Sequence, residues 1–205
     1  LINGNSNTVM GYDSGFYYGS GSSLSTTVTA MNNSILIGAN TRPLADNQTN
    51  QVVIGNDAIG RGSNTVQIGN SDIISIGGAV NWSIGSDVRL KKDIETSTFG
   101  LNFINKLRPV TYKMKTGTTD LQSGFIAQEV ETAANSIGYQ FSGIVKPQND
   151  SDFYSLRYSE FVVPLVKAVQ EQQKLIEDQQ KLLGAKDAKI LEIEKRLLLL
   201  EQKIK

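Results

Sequence analysis

Hydrophobic positions follow two unrelated rhythms along the chain. From Val162 onward, apolar residues return every seventh position, at Val162, Val169, Ile176, Leu183, Ile190, Leu197 and Ile204, as in the a column of a heptad helix. The companion d column reads Leu165, Gln172, Gln179, Lys186, Ile193 and Leu200, apolar at its ends and polar in its middle. The spacing predicts a coiled-coil helix over 159–205, whose heptad run of some forty residues would extend about 60 Å if continuous. Polar d residues fix register and oligomer number at some cost in stability. Gly184 weakens the centre by about 1 kcal/mol, so a soft middle or a break is expected there. Pro164 suits the first helical turn, where its missing N–H is tolerated. A two-stranded coil, or a helix folded back on its own domain, satisfies the same column.

The first half has a strand rhythm instead. Short β-branched runs end in Ile-Gly at 34–38, 51–55, 65–69, 74–77 and 82–85. Alternating β-branched residues predict strands, and each glycine permits a turn into the next layer. Asn56, Asn64 and Asn70 suit the same corners through side-chain bonds to nearby backbone. Such short strands bury too little alone, so the repeat predicts stacked layers wound from several chains, a β-helix-like or prism-like fibre. Plain sandwich strands joined by Gly-rich turns are the alternative.

Composition sharpens the boundary between the rhythms. Residues 1–85 carry only six charged side chains (Asp13, Arg42, Asp46, Asp57, Arg61 and Asp72), whereas the last fifty are dense in Glu, Lys, Gln and Leu. The break falls near Ser86. Between Lys91 and Tyr158, the apolar residues Leu101, Phe103, Ile104, Leu107, Val110, Tyr112, Phe125, Ile126 and Val130 predict a small α+β core. Gly138 to Ser155 reads as a loop or tentacle-like excursion. The predicted domains are therefore 1–85, 86–158 and 159–205.

Charge and missing residue types exclude several functions. There is no histidine and no cysteine, which removes imidazole bases, thiol nucleophiles, disulfides and their metal sites. No cofactor or metal is expected. Formal net charge is zero, without the basic face that phosphate binding needs, so nucleic acid is not an expected partner. No long apolar run predicts membrane insertion. With Leu rather than Met first, the chain is read as part of a longer soluble polypeptide with more sequence upstream.

Four blocks stand in order in the second half: SDVRLKKDI from Ser86, GLNFINKLRPVTYK at 100–113, GFIAQEV at 124–130 and YSEFVVPLVKAVQEQ at 158–172. Together they resemble the intramolecular chaperone domain of phage endosialidases, tail spikes and neck appendages, the S74 peptidase family, over Ser86 to Lys205. Upstream, VVIGNDAIGRGSNTVQIGN at 52–70 resembles head repeats of trimeric bacterial adhesins and shafts of phage tail fibres.

The resemblance implies a homotrimer in which the second half folds the upstream fibre domain and then cuts itself off. It implies a cut at Gly85–Ser86, with Ser86 as nucleophile and Lys91 as base; by spacing alone, Lys92 is an alternative base. Asp87 and Arg89 belong to the same motif, although Asp87 also fits a helix N-cap or a partner for Arg89. Gln128 and Glu129 are candidates for supporting roles or for helix capping and trimer packing. The fibre part would reside in a virion tail fibre or spike, with a host receptor or glycan bound upstream, and the chaperone part would act in the host cytoplasm. An uncleaved trimeric receptor-binding tip or adhesin stalk is the alternative reading.

The chemistry sets a condition. A lysine accepts the serine proton only if its pKa falls from about 10.4 toward neutrality, by burial or by nearby cations. A dyad of this type is competent only in a folded assembly.

Overall fold

The computed structural model describes residues 3–20, 25–115, 119–147 and 152–204, with backbone alone for Glu201 and Ile204. The chain forms two compact units. The first comprises Leu1–Ser86, Pro109–Ala127 and Val145–Ser155; the second comprises Asp87–Arg108, Gln128–Ile144 and Leu156–Lys205.

In the first unit, the repeats form strands β1 (Thr8–Met10), β2 (Met31–Asn32), β3 (Ile35–Ile37), β4 (Gln48–Thr49), β5 (Val52–Ile54) and β6 (Val66–Ile68). They stack in parallel, β1-β3-β5-β6 in one sheet and β2-β4 in another. In the larger sheet, Val9 faces Leu36, Leu36 faces Val53 and Val53 faces Gln67. Parallel stacking of successive repeats replaces the antiparallel hairpins a plain sandwich would use. The interior consists of Val28, Met31, Leu36, Val53 and Ala58, with Tyr18 packed against it. The opposite strand face leaves Met10, Ile35, Ile54, Val66 and Ile68 exposed.

Glycine is required where the layers turn. Gly11 and Gly38 have φ of 129° and 133°, and a Cβ on either would sit 2.3 or 2.6 Å from the carbonyl oxygen of Gly38 or Gly55 in the next layer. No L side chain fits that arrangement. Asparagine makes a second set of corners: Asn33, Asn50 and Asn64 have φ of 51°, 53° and 62°. Asn50 donates from Nδ2 to Asn64 Oδ1 at 2.8 Å, and Asn70 Nδ2 donates to the Asn56 carbonyl at 3.0 Å.

Two of the five expected repeats are not strands. Ile74–Gly77 and Trp82–Gly85 are irregular, and Ile74, Trp82 and Ile84 are 88, 88 and 77% exposed. Among the described residues the ladder stops at β6, and a short run without a paired neighbour is not stable as a strand. Conversely, β1 belongs to the repeat but ends in Met10-Gly11 rather than Ile-Gly, which hides it from the motif. The first unit also holds an antiparallel pair, β7 (Val110–Tyr112) with β8 (Gln122–Gly124).

The second unit contains α1 (Leu101–Ile104), α2 (Ala127–Asn135) and α3 (Val162–Ile204), with 3-10 turns at Val88–Leu90 and Tyr158–Phe161. Its centre is aromatic. Phe103 is fully buried and lies 5.1 Å from Tyr139 and 5.0 Å from Phe141 by ring centroids, while Phe141 meets Phe161 edge-on at 4.8 Å. Val130, Ala133 and Ala134 of α2 and Pro164 and Ala168 of α3 are also buried. Glu171 of α3 accepts the Leu101 N–H at 2.8 Å, capping α1, and a Cβ on Gly100 would lie 2.5 Å from that carboxylate.

Phe103 and Val130 are thus core residues as expected, whereas Ile126 is 37% exposed. The stretch from Gly138 to Ser155 is more than an excursion. It supplies Tyr139 and Phe141 to the aromatic centre and contains β9 (Ile144–Val145), which pairs with β10 (Ser155–Leu156). Residues 148–151 of that stretch lie outside the described residues. The helix shows no break: α3 runs 43 residues through Gly184. Its a column is exposed throughout its described side chains, from 41% at Ile176 to 62% at Val169.

Candidate functional site

Asp87 and the four residues after it make one turn. Asp87 is the N-cap of the Val88–Leu90 3-10 turn, in extended conformation, and its side chain accepts the Arg89 N–H at 2.9 Å. An acidic N-cap is a strong local signal, because its carboxylate satisfies a donor that the turn leaves open. Lys91 closes the turn, donating its backbone N–H to the Val88 carbonyl at 3.1 Å. Ser86 immediately precedes the cap. The two residues expected to form the dyad therefore flank the same turn, and both side chains are exposed in the single chain.

Arg89 folds back onto the cap. Its Nε donates to Asp87 Oδ1 at 2.9 Å and its Nη2 to Oδ2 at 2.7 Å, a bidentate pair. The side-chain hydrogen bond from Arg89, followed by the backbone one, holds the Asp87 carboxyl below the usual carboxylate range, and the same pairing raises the guanidinium. Arg89 is thus an anchor of the turn, its charge met by Asp87.

The other pair of expected residues stands on α2. Glu129 lies in the first turn of that helix and accepts Nε of Arg108 at 3.0 Å, with Nη2 on its other oxygen. That hydrogen bonding lowers the Glu129 carboxyl. Gln128 and Glu129 both line an open groove of about 490 Å³ with Lys106, Arg108, Thr132, Ala133 and Ser136. Arg108 escapes sequence reasoning because its partner is 21 residues away. The Leu-Arg-Pro of the second block is its only local signal.

Among the described residues, no group of three or more acidic residues could hold a metal ion, and no helix is long and apolar enough to cross a membrane. The structure comprises a parallel β-repeat segment, a small aromatic-centred α/β unit and a long helix with an exposed apolar stripe. Residues 86–139 match the family model Peptidase_S74, described as chaperone of endosialidase. The match starts at Ser86, where composition changes, and takes in the first three blocks; the fourth, at 158–172, lies beyond it. A chaperone role in endosialidase-like proteins is the function this family carries. No curated protein matches the chain.

Proposed function

We propose that the chain from Ser86 onward is an intramolecular chaperone that brings three copies together, supports winding of their β-repeat fibre, and then frees itself by cutting Gly85–Ser86. The observation that carries this is the start of the family match at Ser86, directly before the capped turn that ends at Lys91.

Ser86 Oγ attacks the Gly85 carbonyl carbon while Lys91 takes the hydroxyl proton. The peptide C–N bond breaks as the Ser86 nitrogen leaves as an amine, protonated in turn, and an ester joins Gly85 to Ser86 Oγ. Water then hydrolyses the ester, giving a Gly85 carboxylate and restoring the hydroxyl. A lysine can serve as base only when its neutral form is favoured, and desolvation between assembled chains supplies that. The exposed positions of Ser86 and Lys91 in a single chain fit a dyad completed by assembly.

Trimerisation has its support in α3. Val162, Val169, Ile176, Leu183, Ile190 and Leu197 are all between 41 and 62% exposed, and a coiled coil would bury this stripe. The fibre part would belong to a virion tail fibre or spike and bind a host-surface receptor or glycan through further upstream sequence.

Four chains test the dyad on a denaturing gel: parent, Ser86→Ala, Lys91→Ala and Lys92→Ala. The expected outcome is cutting in the parent and Lys92→Ala, with intact Ser86→Ala and Lys91→Ala. Cutting that survives Lys91→Ala but stops in Lys92→Ala would move the base by one residue. The chaperone role is tested by expressing 1–85 alone: efficient formation of soluble, folded trimers would show the second half to be dispensable.

A further inference from the structure

Arg61 stands at a corner of the β ladder between β5 and β6. The corner is fixed from the layer below, by the parallel bridge between Arg42 and Ile59 and by the Gly60 N–H on the Arg42 carbonyl at 2.8 Å. From there the Arg61 guanidinium reaches a stretch of chain some ninety residues later. It donates to Asp152 Oδ1 from Nε at 3.4 Å and from Nη2 at 3.1 Å, to the Phe153 carbonyl from Nη2 at 3.0 Å, and to Ser155 Oγ from Nη1 at 3.4 Å. Asp152 Oδ1 is itself held by the Phe153 N–H at 2.9 Å. The Asp152 side chain is only 7% exposed.

A planar guanidinium that meets a carboxylate, a peptide carbonyl and a hydroxyl at once accepts only one conformation of the stretch it reads. Salt screens exposed ion pairs readily but reaches an enclosed carboxylate poorly. Removing the cation from such a group leaves a buried charge without this compensation.

A second observation gives the contact its meaning. The compact unit that holds the chain up to Ser86 also holds Pro109–Ala127 and Val145–Ser155. Both stretches follow the Gly85–Ser86 bond. Scission there interrupts the chain without dividing that unit, leaving Arg61 on one product and Asp152, Phe153 and Ser155 on the other.

We propose that the Arg61 clasp on Asp152–Ser155 retains the C-terminal product on the fibre end after scission, so that cutting and release are separate events and the second is set by this contact. The proposal rests on the self-cleavage reading for its biological use, but the clasp itself does not. Because Arg61 reaches its place only when the β5–β6 corner is formed, the clasp also ties retention to completion of the last described layer.

The test uses the full chain carrying Ser86→Ala and a site-specific endoprotease sequence inserted after Gly85, so that an added protease makes the cut. The cut protein is chromatographed without denaturant at rising salt, beside the same chain with Arg61→Ala or with Asp152→Asn. The halves are expected to co-elute when the clasp is intact, and to separate in the same buffer in either variant, with a dissociation constant raised about tenfold or more. Halves of both variants that stay together to the same salt as the unaltered clasp would overturn the proposal, as would immediate separation when the clasp is intact. Should Arg61→Ala disturb the ladder, the near-isosteric Asp152→Asn, which lies on the other product, carries the test alone. Failure of self-cleavage would show as an uncut parent on a denaturing gel, an outcome distinct from failure of the clasp.

Discussion

Gly11 and Gly38 show how narrowly single positions constrain the β ladder. Their positive φ and the carbonyl oxygens 2.3 and 2.6 Å from a would-be Cβ leave no room for a side chain. Gly38→Val is expected to destabilise the first unit by roughly 1–3 kcal/mol, read as a lowered urea midpoint. Gly184 is the opposite case: nothing lies within 4 Å of its would-be Cβ, so Gly184→Ala should stabilise α3 by up to about 1 kcal/mol. Unchanged midpoints in both variants would contradict the assignment of these glycines. The paired carboxylates also make a pH prediction. Asp87 and Glu129 have folded pKa values lowered, each chiefly by an arginine hydrogen bond, from ordinary values of 3.8 and 4.5. A depressed carboxyl stabilises fully above its unfolded pKa, and the contribution is lost as pH falls through the folded one. The Asp87 turn and the Arg108–Glu129 pair should therefore hold at neutral pH and loosen only below about pH 4, which carboxyl NMR titration would follow. At this scale the sequence was informative about Asp87, whose N-cap and Arg89 pairing were both anticipated. It was silent on Arg108 and on Arg61, whose partners lie far along the chain and leave no trace in local spacing.

Elements were legible where one rhythm ran long. The heptad column announced α3, although the polar d positions and Gly184 suggested a break that the helix does not have. Glycine costs only about 1 kcal/mol in a helix, and the run of Lys, Leu and Ala around it offsets that. The Ile-Gly motif found β3, β5 and β6. It missed β1, which carries Met10 in place of Ile, and it overreached at Ile74–Gly77 and Trp82–Gly85, where no further layer offers an edge. The aromatic centre of the second unit was half visible: Phe103 and Val130 sat in recognisable blocks, whereas Tyr139 and Phe141 lay in a polar stretch without periodicity. Phe103 touches Tyr139 and Phe141 directly, so Phe103→Ala should cost about 3–5 kcal/mol in the second unit, measured by chemical denaturation. The exposed stripe of α3 makes a separate prediction. Leu183→Glu places a charge at the centre of the a column and should shift the sedimenting species to lower mass; an unchanged sedimentation coefficient would mean that α3 does not hold the assembly together.

For the whole molecule, the two halves seen in composition are not the two units seen in the fold. Pro109–Ala127 and Val145–Ser155 belong with the repeat segment, although they follow it in sequence across Ser86. No local pattern could reveal this, because it depends on contacts such as Arg61 with Asp152 over 91 residues. Under the proposed function, two stretches that follow Ser86 stay in one compact unit with the repeats, which makes separation after cutting a distinct problem from cutting. The proposed cut falls at the bond where the repeat segment meets the family match. Intact-mass measurement of the parent chain after folding tests it most directly, beside Ser86→Ala. Two species with the masses of residues 1–85 and 86–205 are expected from the parent, and one full-length species from Ser86→Ala. A parent chain that keeps its full mass after prolonged folding, or fragments that end at any other bond, would contradict it.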